Sequence, residues 1–90
     1  DLEHVERVVL DVARQVMAGT PGADRTAEPL VRYTAFADSS VTFNAVLFVE
    51  QFIDQGPVRH AFIKALHARF AQEGIEIPFP VRTVITRGGA

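Results

Sequence analysis

The spacing of apolar residues predicts two amphipathic helices in this chain. In residues 1–18 the apolar positions recur at alternating steps of three and four, which places them along one helical face. Residues 58–73 show a second stripe of this kind, and Pro57 precedes it where a first helical turn tolerates proline. The stripes comprise Leu2, Val5, Val8, Val9, Val12, Val16 and Met17 in the first helix and Val58, Phe62, Ala65, Leu66 and Phe70 in the second.

Three segments, residues 30–37, 41–52 and 81–86, have patterns that predict β-strands. The middle segment is apolar on one face at Phe43, Ala45, Leu47 and Val49, and its other face adds Val46, Phe48 and Phe52. Apolar residues on both faces indicate that both are at least partly covered, a cover that another chain could supply. Residues 19–29 are rich in glycine and proline, which predicts a surface loop.

Two connections have distinctive turn chemistry. Asp38, Ser39 and Ser40 offer short side-chain oxygens that can bond nearby backbone donors, so the first two strands are predicted to form an antiparallel hairpin. Gly74 is predicted to end the second helix in the left-handed conformation, with Ile75 making the hydrophobic contact of the cap.

A proline-rich segment then leads into the last strand. Pro78 and Pro80 fix their own φ angles, and each favours an extended conformation in the residue before it, Ile77 and Phe79. The result is a stiff, apolar approach to the strand that begins near Val81.

Length and composition narrow the classes of function. Ninety residues allow one small domain, spanning 1–90. A net charge of −2 with scattered basic residues gives no reason to expect nucleic acid or anionic lipid as a partner. Cysteine is absent, which excludes disulfides and thiolate chemistry within the chain. The longest central apolar run, residues 45–49, is far shorter than the ~20 residues that span a bilayer.

The candidate catalytic and metal-binding residues do not form a recognisable set. His60 and His67 are seven positions apart on one helix, about 10 Å in rise, whereas a shared ion favours a spacing of four. Ser39 and Ser40 lack the glycine elbow of a hydrolase serine, so a turn is the stronger interpretation. The sequence predicts no enzyme, no cofactor and no metal site.

Two motifs resemble the small-conductance mechanosensitive ion channel (MscS-like) family. They are Gly-Ile-Glu-Ile-Pro-Phe-Pro at 74–80, followed by Arg82-Thr83-Val84, and Phe-Ala-Asp-Ser-Ser-Val at 36–41. The sequence departs from the family at Ala37, where glycine is frequent, and at Val81, where glutamine is common. The resemblance covers most of the chain, loosely before Leu30 and closely after it.

The resemblance implies a cytoplasmic C-terminal α/β domain of a bacterial inner-membrane channel that opens under tension during osmotic downshock. Such channels are homo-oligomers, heptameric in the best-known branch, and this domain forms part of a hollow cage below the pore that filters ions and solutes. The membrane contact of the parent would lie in transmembrane segments outside this sequence. The implied structural residues are Asp38, Ser39, Ser40, Gly74, Ile75, Pro78, Phe79 and Pro80.

The predicted order of helix, strand, strand, helix, strand is that of an α+β, ferredoxin-like two-layer sandwich without its first strand, with both helices on one face of an antiparallel or mixed sheet. That first strand is central, so its loss is expected to expose backbone groups on its neighbours. We therefore expect strand pairing or exchange of an element between chains. The alternative function is a free-standing ferredoxin-like module that binds a small ligand or a protein, since fold alone does not fix function.

Overall fold

The computed structural model describes residues 2–35, 41–76 and 81–87. Their elements in chain order are helix α1 (Leu2–Gly19), strand β1 (Leu30–Ala35), strand β2 (Val41–Val49), a short 3₁₀ turn (Phe52–Asp54), helix α2 (Gln55–Glu73) and strand β3 (Val81–Arg87). This is the predicted order of helices and strands. The predicted hairpin turn at Asp38, Ser39 and Ser40 and the proline segment at Pro78, Phe79 and Pro80 lie outside the described residues.

Strand β2 is the centre of a mixed sheet in the described part of the chain. β1 pairs with one edge of β2 in the antiparallel direction, with Leu30 opposite Val46. β3 pairs with the other edge in the parallel direction, with Val84 opposite the same Val46. The predicted antiparallel pairing of the first two strands and the α+β class are therefore confirmed.

The sequence predicts exposed backbone groups where the missing first strand would lie, but β2 pairs directly with β3 there. A split β–α–β unit, as in ferredoxin-like folds, has a further strand between its two parallel strands. Here β2, α2 and β3 instead form one uninterrupted β–α–β crossover, and the two strands are in register over seven residue pairs. The backbone groups along this junction therefore have partners within the chain.

Both helices pack on one face of the sheet, as predicted. The residues of β2 that point to this face alternate along the strand, and each has 0% exposure: Phe43, Ala45, Leu47 and Val49. The predicted helical stripes meet them, with Val5, Val8, Val9, Val12, Val16 and Met17 buried in α1 and Val58, Phe62 and Leu66 buried in α2. Ala65 and Phe70 pack at the margin of this core and are partly buried.

Residues 22–24 of the predicted surface loop belong instead to the edge of the sheet. Ala23 is buried and forms an antiparallel bridge with Val49. The amide of Glu50 donates to the carbonyl of Gly22 at 2.8 Å, and the amide of Asp24 donates to the carbonyl of Phe48 at 2.9 Å. Because β1 extends along β2 only as far as Val46, the loop supplies partners for the rest of that edge.

Strand β2 ends at Val49, three residues before the predicted end, and α2 begins at Gln55, three residues before the predicted start. The reason is a tight turn between them. The amide of Asp54 donates to the carbonyl of Gln51 at 3.0 Å, and the amide of Gln51 donates to the carboxylate of Asp54 at 3.2 Å. The prediction that Phe52 lies on the second face of the strand is therefore wrong, because Phe52 begins the 3₁₀ turn.

Candidate functional site

Of the eight structural residues that the family resemblance implies, Gly74 and Ile75 are among the described residues. Gly74 has φ 67° and ψ 29°, the left-handed conformation that the sequence predicts. Its amide donates to the carbonyl of Ala71 at 3.4 Å, and the amide of Ile75 donates to the carbonyl of Phe70 at 3.0 Å. These two bonds form a Schellman motif, which satisfies carbonyls at the helix end. Ile75 and Phe70 both pack against the core, so the cap fixes the exit of the chain from α2.

A charged cluster connects the two helices at the same end of α2. Arg69 donates through Nη1 to Asp11 of α1 at 2.7 Å and through Nε to Glu73 at 2.9 Å. Nε2 of His4 lies 3.6 Å from the other oxygen of Glu73. The hydrogen bonds that Arg69 donates, first to Asp11 and then to Glu73, raise the pKa of its guanidinium. These contacts hold α1 against α2, and we call Asp11, Arg69 and Glu73 the clasp.

Tyr33 forms a polar contact at the rim of the core. Its ring packs edge-to-face on Phe43, with centroids 4.7 Å apart, and its hydroxyl donates a hydrogen bond to the carboxylate of Glu6 on α1. That hydrogen bond, followed by burial and the charges of Glu6 and Glu3, raises the pKa of Tyr33 to about 12. β1 is thereby connected to α1 through a neutral phenol.

Two side chains of α2 bond to the backbone of β3. Arg59 donates to the carbonyl of Thr83 at 2.9 Å, and Gln55 donates to the carbonyl of Ile85 at 3.3 Å. The two donors are one helical turn apart on α2, and the two acceptors are two residues apart on β3. A shallow groove of about 380 Å³ lies beside these contacts, lined by Arg59, Ile63, Leu66, His67, Phe70, Val81 and Thr83. It contains no arrangement of nucleophile, base and oxyanion donor.

The face of the sheet away from the helices has an ordered pattern of its own. Strand pairing places Arg32, Asn44 and Arg82 in one row across β1, β2 and β3. The next row consists of three aliphatic residues, Leu30, Val46 and Val84. We call these two rows the open face. Both arginines are exposed, and among the described residues neither has an ion pair or a side-chain hydrogen bond.

The arginine row is not visible in the sequence. In the sequence the basic residues are scattered singly. Arg32 and Arg82 are fifty positions apart in the chain. Only the pairing of both strands with β2 brings them to about 10 Å, two strand spacings, of each other. No local pattern encodes that register.

The 3₁₀ turn exposes two large apolar residues side by side. Phe52 and Ile53 each have 77% of their surface accessible. The turn that presents them is held by the Gln51–Asp54 hydrogen bonds and by close packing of Asp54 against Gly22. Glu50, just before the turn, is also exposed. We call residues 50–53 the knuckle.

The described residues show no cluster of metal ligands and no membrane-spanning helix. Within residues 2–35, 41–76 and 81–87, no three histidine, aspartate or glutamate side chains lie together as ligands for an ion. His60 and His67 are exposed on α2, and Glu73 bonds within the clasp while Glu76 is exposed. In the same residues, neither helix combines the length and the apolar character needed to cross a bilayer.

Comparison with known proteins assigns the chain to a family. The family described as "Mechanosensitive ion channel MscS, C-terminal" matches residues 1–77, which cover most of the 90 residues. No curated protein and no solved structure matches the chain. The match includes both helices, β1, β2 and the Gly74–Ile75 cap. The chain therefore belongs to the family of C-terminal domains of the mechanosensitive ion channel MscS.

Proposed function

We propose that this chain is a wall element of the cytoplasmic cage below the pore of a mechanosensitive channel. In this role it contributes to a homo-oligomeric chamber whose gaps between subunits filter ions and small solutes during osmotic downshock. The observation that carries the proposal is the family match over residues 1–77. That family is a channel module, and the wall of a cage requires shape and subunit contacts but no catalytic residues.

Contacts between neighbouring elements of the fold support a rigid wall element. The Schellman cap at Gly74, the clasp of Asp11, Arg69 and Glu73 and the bonds from α2 to β3 connect neighbouring elements. Such contacts hold α1, α2 and the sheet as a unit, which suits a chamber wall that must keep its gaps constant. We further propose that the parent lies in the bacterial inner membrane, with this domain facing the cytoplasm, and that its oligomer is the heptamer that the resemblance implies.

Fractionation of native cells tests the proposal. An antibody raised against the 90-residue chain should detect a polypeptide well above 9.9 kDa that pellets with membranes. Alkaline washing, which strips peripheral proteins, should leave it in the pellet, and detergent should release it. A small band in the soluble fraction would contradict the proposal and would leave the free-standing binding module as the function.

A second measurement tests the filtering role directly. In cells without other mechanosensitive channels, the intact parent should raise survival after osmotic downshock. Single-channel recordings should then show a change in ion preference, at unchanged tension threshold, when charged residues at the gaps between subunits are reversed. A changed threshold with unchanged ion preference would show that the domain acts on gating and would contradict filtering.

A further inference from the structure

Two surface features, the open face and the knuckle, expose apolar and charged side chains that the fold itself does not use. The open face has an aliphatic row, in which Val84 is 39% exposed, beside a row with two exposed arginines. The knuckle has two apolar side chains, Phe52 and Ile53, each 77% exposed, preceded by an exposed carboxylate at Glu50. Burying either feature against a partner would be favourable, because removing apolar surface from water lowers the free energy.

The two features are complementary in charge and polarity. The open face offers positive charge and an apolar strip, while the knuckle offers negative charge and an apolar pair. The spacings along the chain agree as well. Neighbouring rows of the sheet are two residues, about 7 Å, apart along each strand, and two residues also separate Glu50 from Phe52. A carboxylate above the arginine row would therefore place the apolar pair near the aliphatic row.

The two features do not meet within one chain. The knuckle follows the carboxyl end of β2, and Phe52 and Ile53 are exposed in the folded chain. Contact between a knuckle and an open face therefore requires two copies.

We propose that the knuckle of one copy docks on the open face of the next copy around the channel ring. Glu50 pairs with the arginine row, and Phe52 and Ile53 cover the aliphatic row. This inference rests on the proposed cage function, because a ring of identical subunits supplies the second copy. It goes further by naming the contact surfaces and the direction of the contact.

The charge pattern also determines the type of contact. If two open faces met, four arginines would come together, Arg32 and Arg82 from each copy, and like charges at an interface are costly. A contact between two different surfaces avoids this repulsion. Such head-to-tail contacts produce closed rings when the rotation closes. The open face is therefore suited to a ring and unsuited to a face-to-face dimer.

Cysteine cross-linking in membranes tests the contact, and the absence of cysteine from this chain makes the background clean. The test variant combines Ile53→Cys with Val84→Cys in the intact polypeptide, with any cysteines outside this chain changed to serine. Both sites are exposed, so folding should be preserved. Under mild oxidation this variant should form a ladder of dimers, trimers and higher species, because every copy has both halves of the contact.

Three controls make the result specific. Ile53→Cys paired with Ile63→Cys, an exposed site on α2, should give no ladder. Each single variant should stay monomeric on a denaturing gel. Arg82→Glu added to the test variant should reduce the ladder about twofold or more, as expected for an exposed ion pair, and Glu50→Arg added to that should restore it.

The possible outcomes distinguish a failure of the inference from a failure of the proposed function. Dimers from Val84→Cys alone would show that open faces meet each other. Membrane-bound protein without a ladder would reject the knuckle contact and retain the channel assignment. A small soluble polypeptide without a ladder would reject both. A soluble polypeptide that still forms the ladder would retain the contact and reject the cage.

Discussion

The two faces of strand β2 differ in how completely the fold buries their side chains. On the helix-covered face, Phe43, Ala45, Leu47 and Val49 are fully buried by α1, α2 and the sheet itself. On the other face, Asn44 and Val46 are only partly buried and lie between residues of β1 and β3. The first face is explained by folding of the chain alone. The second face stays partly exposed after the chain folds, and it is the face on which we propose that a second copy docks.

Substitutions on the two faces of β2 should therefore affect different properties, the stability of the chain on one face and its contacts with other copies on the other. Substitutions on the covered face should lower the free energy of unfolding, since the lost groups leave cavities in a packed core. Substitutions on the open face should leave unfolding nearly unchanged and should alter contacts between copies.

The adjacent residues Leu47 and Val46 give the most direct comparison. Leu47→Ala should destabilise the chain by about 2–5 kcal/mol, because Leu47 has no exposed surface and its removal leaves a cavity. Val46→Ala should cost below about 1 kcal/mol, as for most partly exposed positions. Urea unfolding of both variants checks the comparison. Equal losses would show that the open face is as tightly packed as the covered one.

Gly22 tests whether the loop at residues 22–24 supports the sheet. It has φ 91°, and a Cβ atom there would lie 2.4 Å from Cγ of Asp54 and 2.8 Å from its Cβ. Gly22→Ala should therefore destabilise by about 1–3 kcal/mol through backbone strain and displacement of the turn. Gly19→Ala is the matched control, because a Cβ at Gly19 meets nothing within 4 Å. It should be neutral or stabilising by up to about 1 kcal/mol.

An unchanged urea midpoint for Gly22→Ala would show that the loop can move without loss of the sheet edge. Hydrogen exchange at the amide of Glu50 provides an independent measurement, because that amide donates to the carbonyl of Gly22. Its exchange should become faster in Gly22→Ala and remain slow in Gly19→Ala.

Gly74 isolates the cost of a left-handed conformation from the cost of crowding. Its φ is 67°, yet a Cβ atom there would have no neighbour within 4 Å. Gly74→Val should destabilise by roughly 1 kcal/mol or more, because a β-branched residue is strained in this conformation. Gly74→Asn should lose less, since asparagine tolerates it. Unfolding in urea that is identical for Gly74→Val and the parent chain would contradict a strained cap.

The features that the sequence predicts correctly are those encoded by local periodicity. The buried stripes of α1 and α2 follow from the spacing of residues such as Val9, Val12 and Phe62, which a helix brings to one side wherever it packs. The alternation of Phe43 and Leu47 defines the buried face of β2 in the same way. The Gly74 cap follows from a single residue that lacks a Cβ atom.

The features that escaped prediction depend on contacts between distant segments. The bridge at Ala23 arises because a loop occupies the part of the β2 edge that β1 does not reach, and β2 ends early because residues 51–54 form a tight turn before α2. The parallel pairing of β3 with β2 brings Arg82 into the row of Arg32, and no pattern within either strand contains that information. The open face and the knuckle therefore became visible only in the folded chain.

Tyr33 is a polar residue at the rim of the covered face. Its pKa is raised to about 12 from an ordinary value of 10.0, first by the hydrogen bond to Glu6. The folded state thus holds the phenolic proton more tightly than the unfolded state. The stabilising contribution is complete below pH 10 and is lost as the pH rises through about 12, because the unfolded chain releases this proton first.

Tyr33 is the single tyrosine of the chain, so the ultraviolet absorbance of tyrosinate reports this group alone. Its titration in the folded protein should have a midpoint near 12, and Glu6→Gln should move the midpoint down toward 10.0 because the carboxylate acceptor is lost. Tyr33→Phe should make stability less dependent on pH above 10 than it is in the parent chain. A parent midpoint already near 10.0 would show that Tyr33 does not bond to Glu6 in solution.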